Sequence, residues 1–261
     1  MSRDALRIIL AAKDVLEFRG DALILPLTEE DMTLPERLKT IDAALQGSLS
    51  LAIRRKAFCA KVSERYLLRP AGRLRVEQAL LLGLGKASEL TQNRVREATA
   101  EALRHLRACR TRRTAIAVDH AHWGGLPAET VTQAIAEGAL LGLYRFNAYK
   151  WEVSEEGGRD IESLTLLCID HEAAGPLKRA IRRGEVMARS TNLARDLVNE
   201  PANILTPAEL ATRARGVARQ YGMGVKALNQ DAMRRLRMGA LLGVAQGSAN
   251  TPQLIIQRQL P

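Results

Sequence analysis

The chain has 261 residues, room for one large domain or two smaller ones. Hydrophobic residues make up 46% and charged residues 26%, a globular balance that excludes a disordered or low-complexity chain. The formal charge of +10 favours polyanions such as nucleic acid or acidic surfaces, but specifies neither fold nor chemistry.

No apolar run approaches the ~20 residues that span a bilayer. Met1-Ser2-Arg3-Asp4 leads into no apolar segment of the signal-peptide kind, so the expected compartment is the cytoplasm. Aromatics are scarce at 3%, which leaves Leu, Ala, Ile and Val to build the core.

In chain order, Leu6–Leu10 alternates roughly like a strand, and Asp21–Leu27 is a short apolar run suited to a buried one. Thr33-Leu34-Pro35-Glu36 has the form of a capping box. Leu34, Leu38, Ile41 and Leu45 follow at helical spacing, with Gly47 as the stop. Arg65–Leu68 and Gln78–Leu82 read as strands. A helix is predicted over about 93–110, with Val95, Ala98, Ala102, Leu103 and Leu106 on one face. Ala115–Val118 reads as a strand, Ala128–Tyr144 as a helix and Leu164–Ile169 as a strand. A long helix is predicted from Gly175 to Leu197. Strands alternating with helices imply crossover units and a mainly parallel sheet, with helices on both faces.

The pattern restarts after Leu197. Thr206-Pro207-Ala208-Glu209 is a capping box with proline at the first helical position, and Leu210, Ala214, Val217 and Tyr221 form the apolar face. Val225–Leu228 reads as a strand and Met233–Leu236 as a short helix. Two further apolar stretches, Ala240–Ala245 and Leu254–Ile256, are expected as strands. The predicted division is a first domain over 1–172 and a second unit, opening on the long helix, over 173–261.

Local chemistry is sparse. Leu82-Gly83-Leu84-Gly85-Lys86 follows a strand, and such a turn can aim N–H groups at a phosphate. Ser88 stands where a dinucleotide fingerprint needs its third glycine, so a tight structural turn is the favoured reading. His120 and His122 would share a face on a strand. With no carboxylate or third histidine at ligand spacing nearby, they read instead as loop residues. His105 and His171 stand alone. Cys59, Cys109 and Cys168 are odd in number and form no CxxC, which argues against a disulfide framework or a thiolate zinc site. Arginines recur at 104, 107, 110, 112 and 113, and basic residues at 178, 179, 182, 183, 234, 235 and 237. Solvated helix faces account for such runs, and duplex DNA is the alternative ligand.

The segment from Ala194 to Pro207, with Asn199-Glu200-Pro201-Ala202-Asn203 at its centre, resembles the entry to the catalytic domain of the leucyl aminopeptidases, the cytosol aminopeptidase family. Glu137–Phe146 resembles that family's helix ending in Tyr-Arg-Phe. Leu82–Lys86 resembles its Gly-Leu-Gly turn, and Met238–Ser248 the segment just before its metal site. The resemblance runs from about Leu6 to Ile256. It implies an N-terminal α/β domain of macro-domain-like fold followed by a catalytic α/β domain, in a cytoplasmic hexamer. It also implies two divalent metal ions, zinc or manganese, that hydrolyse N-terminal residues from peptides.

The family's Phe-Asp-Ser-Gly-Gly and Asn-Thr-Asp-Ala-Glu-Gly-Arg motifs do not occur in this sequence. The nearest lookalike, Glu156-Gly157-Gly158-Arg159-Asp160, falls before the predicted boundary and reads as a surface turn. No residue here is therefore assigned a catalytic, cofactor-binding or metal-ligating role. The second domain is expected to be an incomplete start, truncated or fragmentary, and the chain alone inactive. The alternative reading is a non-catalytic DNA-binding or assembly module that uses the basic helix faces.

Overall fold

The structure, a computed structural model, describes residues 6–70, 74–118, 123–149, 160–168 and 174–259. It divides into two compact units, residues 1–193 and 194–261. The dividing point falls inside the long helix rather than ahead of it at 172/173.

In the first unit six strands form one sheet: β1 (Arg7–Ala11), β2 (Arg19–Leu27), β3 (Arg65–Leu68), β4 (Arg75–Gly83), β5 (Arg113–Ala117) and β6 (Ser163–Leu167). Their order is β1-β6-β5-β2-β4-β3. Every neighbouring pair is parallel except β3–β4, which is antiparallel. The helices are α1 (Glu36–Ala44), α2 (Ser48–Arg54), α3 (Gln92–Ala108), α4 (Ala128–Gly142) and α5 (Ala174–Asn199), the last running on into the second unit.

Strand parity sorts the core into two layers, because successive side chains point to opposite faces. Ala22, Ile24, Leu80, Leu82, Ile116, Leu164 and Leu166 face one way and pack with Val95, Leu103 and Leu106 of α3 and Val131 and Ile135 of α4. Leu23, Leu25, Leu27, Ala79, Leu81 and Ala115 face the other way and pack with Leu38 and Ile41 of α1, Leu49 of α2 and Phe58. Both faces of the central strands are thus covered. That is why those strands read as continuous apolar runs. The fold is the mainly parallel α/β sheet with helices on both faces that the sequence predicts.

Helices α3 and α4 approach closely because small residues meet there. A Cβ at Gly138 would lie 2.3 Å from the Arg96 carbonyl oxygen, and one at Gly142 would lie 2.6 Å from Ala100. An ion pair crosses the same seam: Arg96 Nε donates to Oε2 of the buried Glu137 carboxylate at 2.6 Å, and Nη2 lies 2.6 Å from the same oxygen.

Two local expectations change near the N-terminus. Thr33 does not cap α1. It ends a 3-10 turn, Glu29–Thr33, and Pro35 occupies the cap position. The residue that organises this turn is Asp31, whose buried carboxylate accepts from the Thr28 N–H (2.9 Å) and Oγ1 (3.1 Å) and pairs with Arg37. Gly47 does stop α1, in a left-handed conformation (φ 76°), but a second helix, α2, begins at once. Asp42 at the end of α1 reaches back to accept the Ser50 N–H at 3.0 Å.

The second unit holds α6 (Pro207–Gln220), β7 (Gly224–Leu228), α7 (Gln230–Arg235), α8 (Gly239–Val244) and β8 (Leu254–Arg258). Thr206 caps α6 by accepting the Glu209 N–H at 3.3 Å, with Pro207 at its first turn. The expected strand over Ala240–Ala245 is instead the short helix α8. A six-residue apolar run does not declare its period, and Ala and Leu are strong helix formers. β7 and β8 pair with each other in antiparallel register, Gly224 opposite Arg258. Among the described residues of this unit only Ala211, Ala218, Leu228 and Met233 are buried hydrophobics. No helix among the described residues is long and apolar enough to cross a membrane.

Candidate functional site

The glycine turn at the end of β4 is built from committed backbone groups. The Gly83 N–H donates to Glu64 O (2.8 Å), Leu84 N–H to Leu27 O (2.8 Å) and Gly85 N–H to Ala60 O (2.8 Å). The Ala87 N–H donates to the Glu30 carboxylate (3.0 Å). A phosphate seated here would find these donors already used and a carboxylate facing it. Gly83 is required for close approach: a Cβ there would lie 2.0 Å from Lys61 O. Gly85 has φ +79°, where L side chains are strained. The turn is structural, and it locks the segment after α2 against the sheet. The Glu64 carboxylate completes that lock by accepting the Cys59 and Lys61 N–H groups at 3.0 and 2.9 Å.

The scattered candidates do not converge. His120, His122 and His171 lie outside the described residues, as does the lookalike segment apart from Asp160. His105, on α3, has its pKa pushed below the usual histidine value by burial, with the charge of Arg65 acting in the same direction. Its Nε2 lies 3.9 Å from the exposed Cys109 thiol. Cys168 is buried, as a small hydrophobe would be. Among the described residues no three His, Cys, Asp or Glu side chains group as a metal site would require.

The first arginine cluster is dispersed by its partners. Arg107 is buried and donates to Leu143 O at 3.0 Å. Burial lowers its pKa, as do Arg145 and Arg104, against an opposing effect of Asp160. Arg112 pairs with Glu162, and Arg113 with Asp21 at 3.7 Å. In the other clusters Arg182 lies 3.8 Å from Glu185, Arg183 donates to Gln133 at 3.3 Å, and Arg234 pairs with Asp231 at 3.2 Å.

The conspicuous polar arrangement of the second unit lies where the family-like segment meets α6. Arg213 holds Glu200 at 2.8 Å and Glu209 at 3.0 Å. Hydrogen bonds to Glu209 and then to Glu200 raise the arginine's pKa. Two converging carboxylates are the donors a divalent metal would seek. Here a guanidinium already occupies the space between them, so these residues do not fit a metal ion and fix the entry to α6 instead.

Sequence reasoning passed over one further feature. Beside β1 and β6, on the α1/α2 face of the sheet, lies a groove of about 800 Å³ whose lining includes Lys13, Arg19 and Arg75. None of these belongs to an arginine run, and Arg19 and Arg75 come together only because β2 and β4 start side by side.

The first unit is a mainly parallel α/β sheet, and the long helix α5 runs from it into the second unit. The comparisons make the class specific. Residues 24–152 match the N-terminal domain of the cytosol aminopeptidase family, and residues 192–258 match that family's catalytic domain. The chain belongs to the cytosol aminopeptidase family. It is 37% identical to a probable cytosol aminopeptidase of Alkaliphilus metalliredigens, over 90% of this chain and 47% of that protein. To one from Roseiflexus castenholzii it is 38% identical, over 96% of this chain and 48% of that one. Among solved structures, a mutant of tomato leucine aminopeptidase superposes with a TM-score of 0.84 at 28% identity, covering 100% of this chain and 52% of that one. The bottromycin maturation enzyme BotP in complex with Mn gives 0.72 at 28% identity, covering 93% and 46%. The chain spans about half the length of the relatives it matches.

Proposed function

We propose that this chain supplies the N-terminal domain and the opening of the catalytic domain of a metal-dependent aminopeptidase, and that by itself it is catalytically silent. The observation that carries this reading is the pair of family matches, in order, on the two structural units. The complete enzyme would remove N-terminal residues from peptides in the cytoplasm, as a homo-oligomer of the family's hexameric kind. Its two zinc or manganese ions would polarise the scissile carbonyl and activate water. The groups that hold them would come from outside this chain; the two carboxylates that converge here, Glu200 and Glu209, are engaged by Arg213.

The test has two arms. The purified chain with Mn²⁺ or Zn²⁺ should release no leucine from leucyl amide above a protein-free blank. The same chain joined to the C-terminal half of the Alkaliphilus metalliredigens relative should gain metal-dependent release. Turnover by the chain alone, or a folded but inert fusion, would overturn the proposal.

A second reading, DNA binding on the basic helix faces, draws on the exposed Arg104 and Arg110, which make no ion pair among the described residues. Duplex binding would weaken with salt at a log–log slope of about −0.9 per phosphate contacted. Absence of binding at low salt would leave these arginines as solvated surface.

A further inference from the structure

The groove beside β1 and β6 combines an apolar floor with cations that make no ion pair among the described residues. Its lining includes Ile9 and Ala11 of β1 and Leu167 of β6, with Phe18 and Leu16 from the segment that crosses from β1 to β2. Arg19 and Arg75 are the first residues of β2 and β4 and are direct register partners in that parallel pair. Both have the strand parity of Leu23 and Ala79, so both stand on the α1/α2 face. Lys13 is the third cation lining the groove.

Like charges on neighbouring strand positions repel, so an aligned arginine pair costs stability unless an anion bridges it. No described residue does so: the side chains of Lys13, Arg19 and Arg75 make no ion pair or hydrogen bond among the described residues. Asp21, the next acid along β2, is engaged by the Arg112 and Arg113 N–H groups at 2.7 and 2.9 Å and by the Arg113 side chain. Asp14 accepts from the Leu16 N–H at 2.8 Å. Only Glu17 among the lining residues opposes the three cations, which leaves two positive charges in excess.

We propose that this groove binds an organic phosphate, its dianionic head held by Arg19 and Arg75, its apolar body resting on Ile9, Ala11, Leu167 and Phe18, with Lys13 adding positive charge along the groove. Two adjacent guanidinium forks match a head with three acceptor oxygens better than a single carboxylate. The volume suits a small molecule rather than a bare ion. The site lies wholly in the first unit and is independent of the peptidase reading.

Titrating the chain with phenylphosphonate, followed by calorimetry or by backbone amide shifts, tests this. Expected are saturable binding that weakens with salt, shifts confined to Ile9–Arg19, Arg75 and Thr165–Leu167, and a loss of about tenfold or more in affinity in Arg19→Gln/Arg75→Gln. Lys13→Gln, at an exposed position, should weaken binding with an unchanged melting curve. The control Arg104→Gln/Arg110→Gln removes as much charge elsewhere and should leave affinity unaltered. No saturation up to about 10 mM, or equal losses in groove and control variants, would overturn the site. Equal affinity for benzoate would overturn the phosphate head, and equal affinity for inorganic phosphate would overturn the apolar body.

Discussion

Arg213 concentrates the polar energetics of the second unit in one side chain. Glu200, which it holds, has a side chain only 7% exposed. Removing the arginine would take one charged hydrogen-bond partner from that carboxylate, and a hydrogen bond lost at a poorly exposed polar group costs about 1–3 kcal/mol. Arg213→Gln should therefore lower the stability of residues 200–220 by about 2 kcal/mol, read as faster amide exchange in α6 with the first unit unchanged. His105 makes a second, pH-dependent prediction. Its folded pKa is lowered by burial and by Arg65, so folding favours the neutral ring. Its stabilising effect is complete above the unfolded value of about 6.5 and is lost as pH falls through the folded value. Between pH 8 and 5 the melting temperature of the chain should fall relative to that of His105→Gln as the pH is lowered. Parallel curves would remove His105 from the pH response.

Caps show what was legible at this scale. Thr206 was, because its acceptor role depends on a neighbour three residues away and on Pro207. Thr33 has the same local pattern, yet Leu34 turns left-handed (φ 55°) and Thr33 donates to Glu30 O, so the cap passes to Pro35. The Arg19–Arg75 pair was not legible at all, since adjacency of two strand starts far apart in the chain is a property of the sheet order.

At the scale of elements, two glycines in helices carry opposite predictions. Gly138 in α4 faces the Arg96 carbonyl, so Gly138→Ala places a methyl 2.3 Å from that oxygen. Overpacking of about 1–3 kcal/mol should exceed the helix-propensity gain of about 1 kcal/mol, and the urea midpoint of the chain should fall. Gly216 in α6 is exposed with nothing within 4 Å of its would-be Cβ. Gly216→Ala should stabilise α6 by up to about 1 kcal/mol, visible as slower exchange there. A fall in stability would show that α6 is packed more tightly than its exposure states.

Most elements of the first unit were readable because the buried strands are apolar throughout and α3 and α4 carry clear stripes. The failures have physical causes. The helix α2 has seven residues and follows directly on Gly47, so a stop signal concealed a new start. Ala240–Ala245 lacks polar residues that would mark a period of two or of 3.6, and local propensity turned it into α8. The expectation that no residue here inherits a catalytic role is a reading of motifs rather than of elements; at the head of α6, Arg213 lies between the two converging carboxylates.

For the whole molecule, the two units differ in how much holds them. The first has two apolar layers, one on each face of a six-stranded sheet. The second has a two-stranded sheet and four buried hydrophobic side chains among its described residues, while Val198, Tyr221 and Val244 are largely exposed. A two-stranded sheet is marginal in water unless further strands or helices cover it. In the proposed complete enzyme the rest of the catalytic domain would provide that cover. Limited proteolysis should accordingly trim the chain to a core that ends within α5.

Hydrogen exchange across the purified chain tests this division most directly, because protection follows local opening free energy. The strands β2, β4, β5 and β6 and helices α3 and α4 should exchange slowly, near the limit set by global unfolding. Amides of α6, β7 and β8 should exchange faster by orders of magnitude, and should become protected when the C-terminal half of a family member is joined to the chain. Equal protection on both sides of Leu193 in the chain alone would contradict the account, and would mark residues 194–261 as a domain complete in itself.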